Sequence, residues 1–544
     1  MLSSNTTMAD AIRQVAESRR DQEALVCGEV RATYGHLLEH IVALGRGLHS
    51  LGIDKGDKVA ALLPPGPEFV TLFFAVASLG AVIVPLNPQL RRRGLSAVIQ
   101  DAEPVALVTA RPVEAGLLRQ AASLRHVILA GGGEARGPSL AGLMGAGEAA
   151  SPPPDDVSPD DLLAILYTSG TTGTPKGTMH SHRSLIAPVV ASIKLRELWI
   201  RRPSLRTLGQ TARALARYRE RLLRAAGRPQ TFLSTVGWHT ITGLEVMLQA
   251  LLMGDRLVVM PRFHPREALQ WIEQEQVTVL VAVPMACQVM LGLREFEHYD
   301  TSSLLICGTG AAPCPPHLAQ EIQQRFGCAV HIGFGATETA GGIAATSLSD
   351  SDERQSETVG RPMPGMEIKI VDDERRALPP GQVGELACRS DSVMLGYYHA
   401  PDATAEVMDE DGWYYTGDLA VMDDEGYLRI VGRKKDVIIR GGQNIYPPEI
   451  EAYLASHPKI REAAVVGVPA AVGGESAWAF VILEDGAEMT IQQVLDYCRA
   501  ELEPYKVPAR VRFVTDFPRS QTGKPQKFKL RSVAYQATQG GEPQ

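Results

Sequence analysis

The sequence predicts a two-domain protein: a large N-terminal α/β domain, built of parallel sheets with helices plus a β-rich subdomain, and a small α+β C-terminal domain. Three observations support this. The chain has 544 residues, too many for one ordinary core. Apolar strand runs alternate repeatedly with helical patterns, the signature of covered, mostly parallel sheet. From about Val359 the texture changes to short strands separated by Gly, Pro and Asp turns, and after Gly432 the charged run Arg-Lys-Lys-Asp opens a compact α+β pattern. The division is placed at 1–432 and 433–544.

Taken in order, the apolar spacing predicts an amphipathic helix over Leu37–Leu51, a strand over Lys58–Leu63, a helix over Phe69–Leu79 and a strand over Ala81–Pro85. Further strands are expected at Leu257–Met260, Val277–Val283, Leu304–Cys307 and Ala329–Ile332. Ser151–Pro154 is read as a surface linker.

Composition narrows the function. A 45% hydrophobic and 21% charged chain is globular rather than disordered or membrane-spanning. The net charge of −8 excludes a general affinity for nucleic acid or anionic membrane. Seven cysteines, scattered without CxxC or metal spacing, point to reduced thiols and a cytoplasmic location. The N-terminal stretch lacks a signal-type apolar core, and no uninterrupted run of about 18 apolar residues predicts a transmembrane segment.

The strongest chemical signal is LLAILYTSGTTGTPKG, Leu162 to Gly177. An apolar strand runs into a loop of Gly and Thr/Ser residues that ends on a lysine. Glycines let backbone approach an anion, hydroxyls and amides donate hydrogen bonds, and lysine adds charge. The P-loop template fails, because Pro175 and not glycine precedes Lys176. A flexible linker would need neither the strand nor the ordered Gly–Thr pattern.

YTSGTTGTPKG resembles the signature of the adenylate-forming (AMP-binding) superfamily, and the resemblance extends from roughly Thr33 to Arg531, in the acyl-CoA synthetase and aryl-CoA ligase branch. It implies ATP, Mg²⁺ and coenzyme A as cofactors. In the phosphate loop it implies Thr168, Ser169, Gly170, Thr171, Thr172, Gly173, Thr174 and Lys176 as ATP-binding. In GFGATETAGG, Phe334 would stack on adenine beside Gly335 and Ala336, Thr337 would bond the α-phosphate, and Glu338 would hold Mg²⁺. The GTGAAPCP loop would run along the nucleotide with Gly310, Ala311 and Ala312. Asp418, in YYTGDLA, would accept from both ribose hydroxyls, joined by Arg433. Lys524 in the sequence TGK would bridge the substrate carboxylate and the α-phosphate; nearby Lys527 and Lys529 are expected to be solvated.

The C-terminal domain would be mobile, hinged at Lys435, with Gly441 and Gly442 lining a pantetheine tunnel or, alternatively, forming a plain β-turn. His239 would lie near the substrate carboxylate, or else serve as a core histidine. Trp238, Gly243, Gly308, Gly333 and Gly341 are the expected acyl-pocket residues. No aspartate stands ready for an α-ammonium, so an apolar fatty, aromatic or alicyclic acid is expected. The implied reaction is ATP-dependent formation of acyl-AMP, then of an acyl-CoA, by an AMP-forming acid–thiol ligase. An acyl-carrier protein is the alternative acceptor and a homodimer an allowed assembly.

One stretch departs from the family pattern. Lys194 to Arg228 holds eleven Lys/Arg against two Glu. Leu208, Ala212, Leu215 and Leu222 would share one helical face. A surface helix with an apolar underside, a carrier-protein contact, a site for the CoA phosphates and a lid over the substrate entrance all fit that pattern.

Overall fold

The structure, a computed structural model, describes residues 2–113, 121–131, 138–154, 156–168, 176–200, 218–224, 227–440, 443–470, 474–519 and 523–539. The chain divides into two compact units, Met1–Glu367 with Arg389–Tyr414, and Ile368–Cys388 with Tyr415–Gln544.

The first unit contains two sheets where a single covered sheet would already satisfy the pattern. One runs in the order Arg361–Pro362, Gly341–Ala345, Ala329–Ala336, Ile306–Thr309, Val279–Val281, Thr231–Ser234, Arg256–Val259, Glu23–Cys27, Val30–Thr33. Its interior pairs are parallel and its two ends antiparallel. The other runs Gly396–Tyr397, Lys176–Ser181, Leu162–Thr168, Val82–Pro85, Lys58–Leu62, Ala106–Thr109, His126–Leu129, and is parallel from Leu162–Thr168 onward.

Strand alternation sorts the core. Leu25, Leu257, Val59 and Ala61 face a shared cluster between the sheets, whereas Val26 and Val258 face helices on one outer side and Ala60 and Leu62 those on the other. The helix Pro67–Ser78 lies in the shared cluster, with Phe69 through Ala77 all buried. It is therefore apolar all round, as a helix without a solvent face must be. Pro67 fits its first turn, where the missing N–H has no partner to lose. The helix Tyr34–Ser50 starts where Thr33 accepts the N–H of His36.

Most strand expectations stand within two residues. The strand expected at Leu304–Cys307 is displaced to Ile306–Thr309, since Leu304 and Leu305 are buried in the approach to the strand. The strand begun at Ala329 continues to Ala336 because its last residues pair with Gly341–Ala345.

In the second unit, Glu367–Val371, Gly384–Arg389, Tyr414–Met422 and Leu428–Arg433 form the four-stranded sheet of the expected β-rich subdomain. Residue 433 falls inside the second compact unit, where the strands Tyr414–Met422 and Leu428–Arg433 pair with each other and complete this sheet. Beyond it, Ile460–Pro469, Glu475–Leu483 and Arg510–Phe513 make a three-stranded sheet with an apolar cluster on each face, Val465 and Ala479 on one and Val466 and Phe480 on the other. Helices cover both faces, which explains the near-continuous apolar run of these strands. Among the described residues no helix is long and apolar enough to cross a membrane.

Candidate active site

Functional side chains gather in each unit. In the first, the strand Ala329–Ala336 runs into the turn Thr337–Thr339. Thr339 shapes this turn: its hydroxyl donates to the Gly341 carbonyl at 2.8 Å and accepts the Ala336 N–H at 3.2 Å. Ala340 and Gly341 then take φ of 52° and 126° and reverse the chain into the strand Gly341–Ala345. A φ of 126° suits glycine alone. The turn thereby presents Thr337 and Glu338 next to Phe334.

Tyr397 fixes Glu338: its hydroxyl donates to Oε1 at 2.7 Å, and the Glu338 carbonyl accepts the Met394 N–H at 2.8 Å. The ammonium of Lys176 stands 4.9 Å from the centre of the same tyrosine ring. One aromatic side chain thus joins the loop lysine to the turn carboxylate. Beneath, His180 is fully buried against the Thr337 backbone, and burial pulls its pKa down to about 4, so its ring is neutral near pH 7. Ser169, Gly170, Thr171, Thr172, Gly173 and Thr174 lie outside the described residues; Thr168 closes the strand and pairs with Lys176.

Gly310 packs against Gly333: a Cβ on Gly310 would stand 2.6 Å from the Gly333 carbonyl. Likewise a Cβ on Gly335 would collide with the Gly341 carbonyl. The GTG loop and the GFG strand therefore lie side by side as bare backbone, with Ala311 held at a φ of 62° and Ala312 half-buried.

Among the expected acyl-pocket glycines only Gly333 faces room, its nearest atom being the Thr309 carbonyl at 4.0 Å. The others differ from expectation. Gly243 allows the first turn of the helix Ile241–Leu252 to pass over the Gly237 carbonyl, so it serves close packing and leaves no space. Gly308 sits in ordinary contact with Val281 on the neighbouring strand. At Gly341 the vacated space is filled by the Glu245 carboxyl. Trp238 is 3% exposed and tilts over Phe69 at 5.5 Å, part of the shared core. His239 immediately precedes Thr240, whose hydroxyl caps that helix by accepting the Gly243 N–H.

In the second unit, Asp418 and Arg433 face each other across an antiparallel pair. Arg433 donates through Nε to Oδ1 at 2.7 Å and through Nη2 to Oδ2 at 3.3 Å, and the Asp418 N–H rests on Thr416 Oγ1 at 3.0 Å. Lys435, Asp436 and Lys524 lie within electrostatic reach of this pair. Lys524 keeps an exposed surface; desolvation by the neighbouring protein, then the Arg433 charge, pushes it below the ordinary lysine range, while Asp418 pulls the other way. Lys435 is displaced in the same direction by the same causes. Lys434 is held by Asp373 at 2.9 Å and Glu385 at 3.1 Å. Lys527 is not solvated as expected: it pairs with Glu451 at 2.6 Å, because the helix Lys527–Gln539 packs over the strand Ile460–Pro469 beside it. Gly441 and Gly442 lie outside the described residues.

Sequence reasoning missed Tyr397, His180 and Glu245. Glu245 left a signal, the one charged residue in the mostly apolar helix ITGLEVMLQALL. In the basic stretch, Leu208, Ala212 and Leu215 fall outside the described residues. Residues 218–224 are helical, with Leu222 packed against the cluster of Tyr218, Leu305 and Ala329 and Arg221 donating to the carbonyls of Thr301 and Leu304. This end has the apolar underside of the surface-helix reading.

A family model described as AMP-binding enzyme matches residues 12–398, and a second, AMP-binding enzyme C-terminal domain, matches residues 449–524. The medium-chain fatty-acid–CoA ligase of Escherichia coli (strain K12) is 32% identical, covering 97% of this chain and 90% of that protein. Feruloyl-CoA synthase of Amycolatopsis sp. is 34% identical, with 93% and 94% covered. The crystal structure of the anthranilate CoA ligase AuaEII in complex with anthranoyl-AMP superposes with a TM-score of 0.85 at 25% identity, covering 99% of both chains.

Proposed function

This chain belongs to the AMP-binding enzyme family, and on that premise we propose that it activates a carboxylic acid with ATP as the acyl-adenylate and passes the acyl group to coenzyme A. The observation that carries this is the Tyr397 bridge: a fixed carboxylate and a fixed cation share one side chain, Glu338 by a hydrogen bond and Lys176 above the ring. A metal–triphosphate needs such a pair held rigidly near its oxygens.

In the first half-reaction a carboxylate oxygen attacks the α-phosphorus, the bond to the β-phosphate oxygen breaks, and pyrophosphate leaves. Both reactants are anionic, so cations and oriented donors lower the barrier. Lys524 supplies the cation for the carboxylate and α-phosphate, Thr337 a hydroxyl to that phosphate, and Phe334 a face for adenine. The Asp418 carboxylate, steadied by Arg433, retains acceptor capacity for ribose hydroxyls. In the second half-reaction the thiol sulfur attacks the acyl carbon, the bond to AMP breaks, and the thiol proton passes to solvent. Lys435 is the proposed hinge between the two states.

Glu338 suits Mg²⁺. Tyr397 occupies one lone pair of its carboxylate, and among the described residues no group of three His, Cys, Asp or Glu forms an all-protein cage. Mg²⁺ prefers one or two carboxylates completed by phosphate and water; when bound it would neutralise phosphate charge. Tyr397→Phe should therefore lower kcat about 3- to 10-fold and raise the Mg²⁺ concentration giving half-maximal rate, because it removes one hydrogen bond that orients the carboxylate and leaves the carboxylate itself in place. An unchanged Mg²⁺ titration would remove Tyr397 from this role.

The acid is proposed to be fatty, aromatic or alicyclic, entering beside Trp238 and Gly333 with its carboxylate toward His239. The seven cysteines are all unpaired, which supports a cytoplasmic, reducing setting. Pyrophosphate release across a panel of acids, with and without coenzyme A, tests the whole reading. Acid-dependent release and coenzyme-A-dependent AMP turnover are expected; nucleotide cleavage indifferent to every acid would overturn it. Replacing coenzyme A by a phosphopantetheinylated carrier protein tests the alternative acceptor.

A further inference from the structure

The two phosphate-handling elements of the first unit belong to different sheets. The strand Lys176–Ser181 leaves the phosphate loop in one, and the turn Thr337–Thr339 ends a strand of the other. Strand pairing shows which side chains look across the gap. Thr178 and His180 stand directly opposite Leu166 and Ala164, and therefore share a face with them. Leu166 and Ala164 belong to the apolar cluster between the sheets, as does Ala340 just past the turn. Lys176, Thr178 and His180 are alternate residues of the strand, so three polar side chains in a row occupy this inward face.

The row runs along the Thr337–Glu338 turn. Lys176 lies over the ring of Tyr397, which pairs with Thr178 across the strands and bonds Glu338. His180 meets the turn itself, at the Thr337 backbone. It is fully buried, and its Nδ1 stands 3.4 Å from the Ser184 hydroxyl. That leaves Nε2 for the turn, and among the described residues Nε2 has no aligned hydrogen-bond partner. A buried imidazole with a nitrogen left unsatisfied costs stability that a leucine in the same room would not. Hydrogen bonds that serve catalysis are often loose in the empty protein and tighten around the substrate.

We propose that His180 is a positioning residue for adenylation: its Nε2 braces the Thr337 backbone from beneath and so fixes the Thr337 hydroxyl against the α-phosphate. This rests on the ligase reading and adds a residue to its first half-reaction. The imidazole acts only through Thr337. It ties the strand that carries the loop lysine to the turn that carries the phosphate and metal ligands, and the two sheets then keep the spacing a triphosphate requires.

The test measures pyrophosphate release and thermal unfolding. His180→Leu should lower kcat for adenylation about 10-fold, the worth of about one hydrogen bond, while KM for the acid stays within about twofold and Tm is unchanged or higher. His180→Gln, whose amide reaches the place of Nε2, should recover most of the rate. His180→Asn, whose amide reaches only the place of Nδ1, should not. Adding His180→Leu to Thr337→Ala should cost no more than about twofold beyond Thr337→Ala alone, because the two residues act as a unit. Full activity in His180→Leu would overturn the inference. A Leu variant that melts at lower temperature or does not fold would also overturn it, since the imidazole would then be a packing residue. Equal rates in the Gln and Asn variants, or losses that multiply in the double variant, would do the same. Silence of the wild-type protein with every acid is a different result, since it removes the ligase reading itself.

Discussion

Lys524→Ala is expected to slow adenylation by about 10³-fold while leaving thioester formation from supplied acyl-AMP largely intact, an effect of the size seen when a preorganised electrostatic group is removed. The reason lies in its surroundings. Lys524 sits within reach of Arg433, Asp418, Asp436 and Lys435, and partial desolvation together with the charges of Arg433 and Lys527 already disfavours its charged form. An anionic carboxylate and α-phosphate restore that balance, so the ammonium is worth more when both are present than when neither is. Only the first half-reaction presents both anions at once. Rapid-quench measurement of acyl-AMP formation, set beside acyl-CoA formation from synthetic acyl-AMP, separates the two. Equal loss of both half-reactions in a variant with unchanged circular dichroism would remove Lys524 from the role assigned to it.

Glu338→Ala is the second large effect: a fall in kcat of about 10²- to 10³-fold, with a raised Mg²⁺ requirement. Here the tertiary structure sharpens the expectation. Removing the carboxylate also strands the Tyr397 hydroxyl that donates to it, while the ring keeps its place under Lys176. The loss should therefore exceed that of Tyr397→Phe by at least about tenfold, because the Phe variant keeps the carboxylate and loses only its orientation. Steady-state rates over a Mg²⁺ titration measure both. If the two variants behaved alike, Glu338 would act through Tyr397 rather than on a metal–phosphate.

Both expectations began as positions in a motif, and the route from motif to geometry was uneven. Asp418 and Arg433 are named together by the family resemblance and are direct cross-strand partners. A strand pair joined by a short turn converts sequence separation into spatial contact with little freedom, so such a pairing is legible. Thr337 and Glu338 were legible for a similar reason: an apolar strand followed by Gly, Ala and Thr specifies a turn. The glycines were not. Gly243, Gly308, Gly310, Gly333 and Gly341 look alike in sequence, yet one faces room, one lets its helix turn pass over a carbonyl, one packs on a valine, one abuts another backbone and one is filled by Glu245. A missing side chain says that something comes close and leaves its identity to the fold.

The charged residues to be tested came from the family resemblance; local pattern alone determined the alternation that builds the sheets and the strand-to-loop phosphate motif. Those features depend on periodicities of two and 3.6 and on turn chemistry, which neighbouring residues decide among themselves. The folded chain alone decided that the strands split into two sheets around a shared helical core, that Leu428–Arg433 belongs with Ile368–Cys388, that Tyr397 joins Lys176 to Glu338, and that Glu245 lies over Gly341. Each of these couples residues tens to hundreds of positions apart. Their proximity is set by how whole layers pack, and no local propensity carries that information.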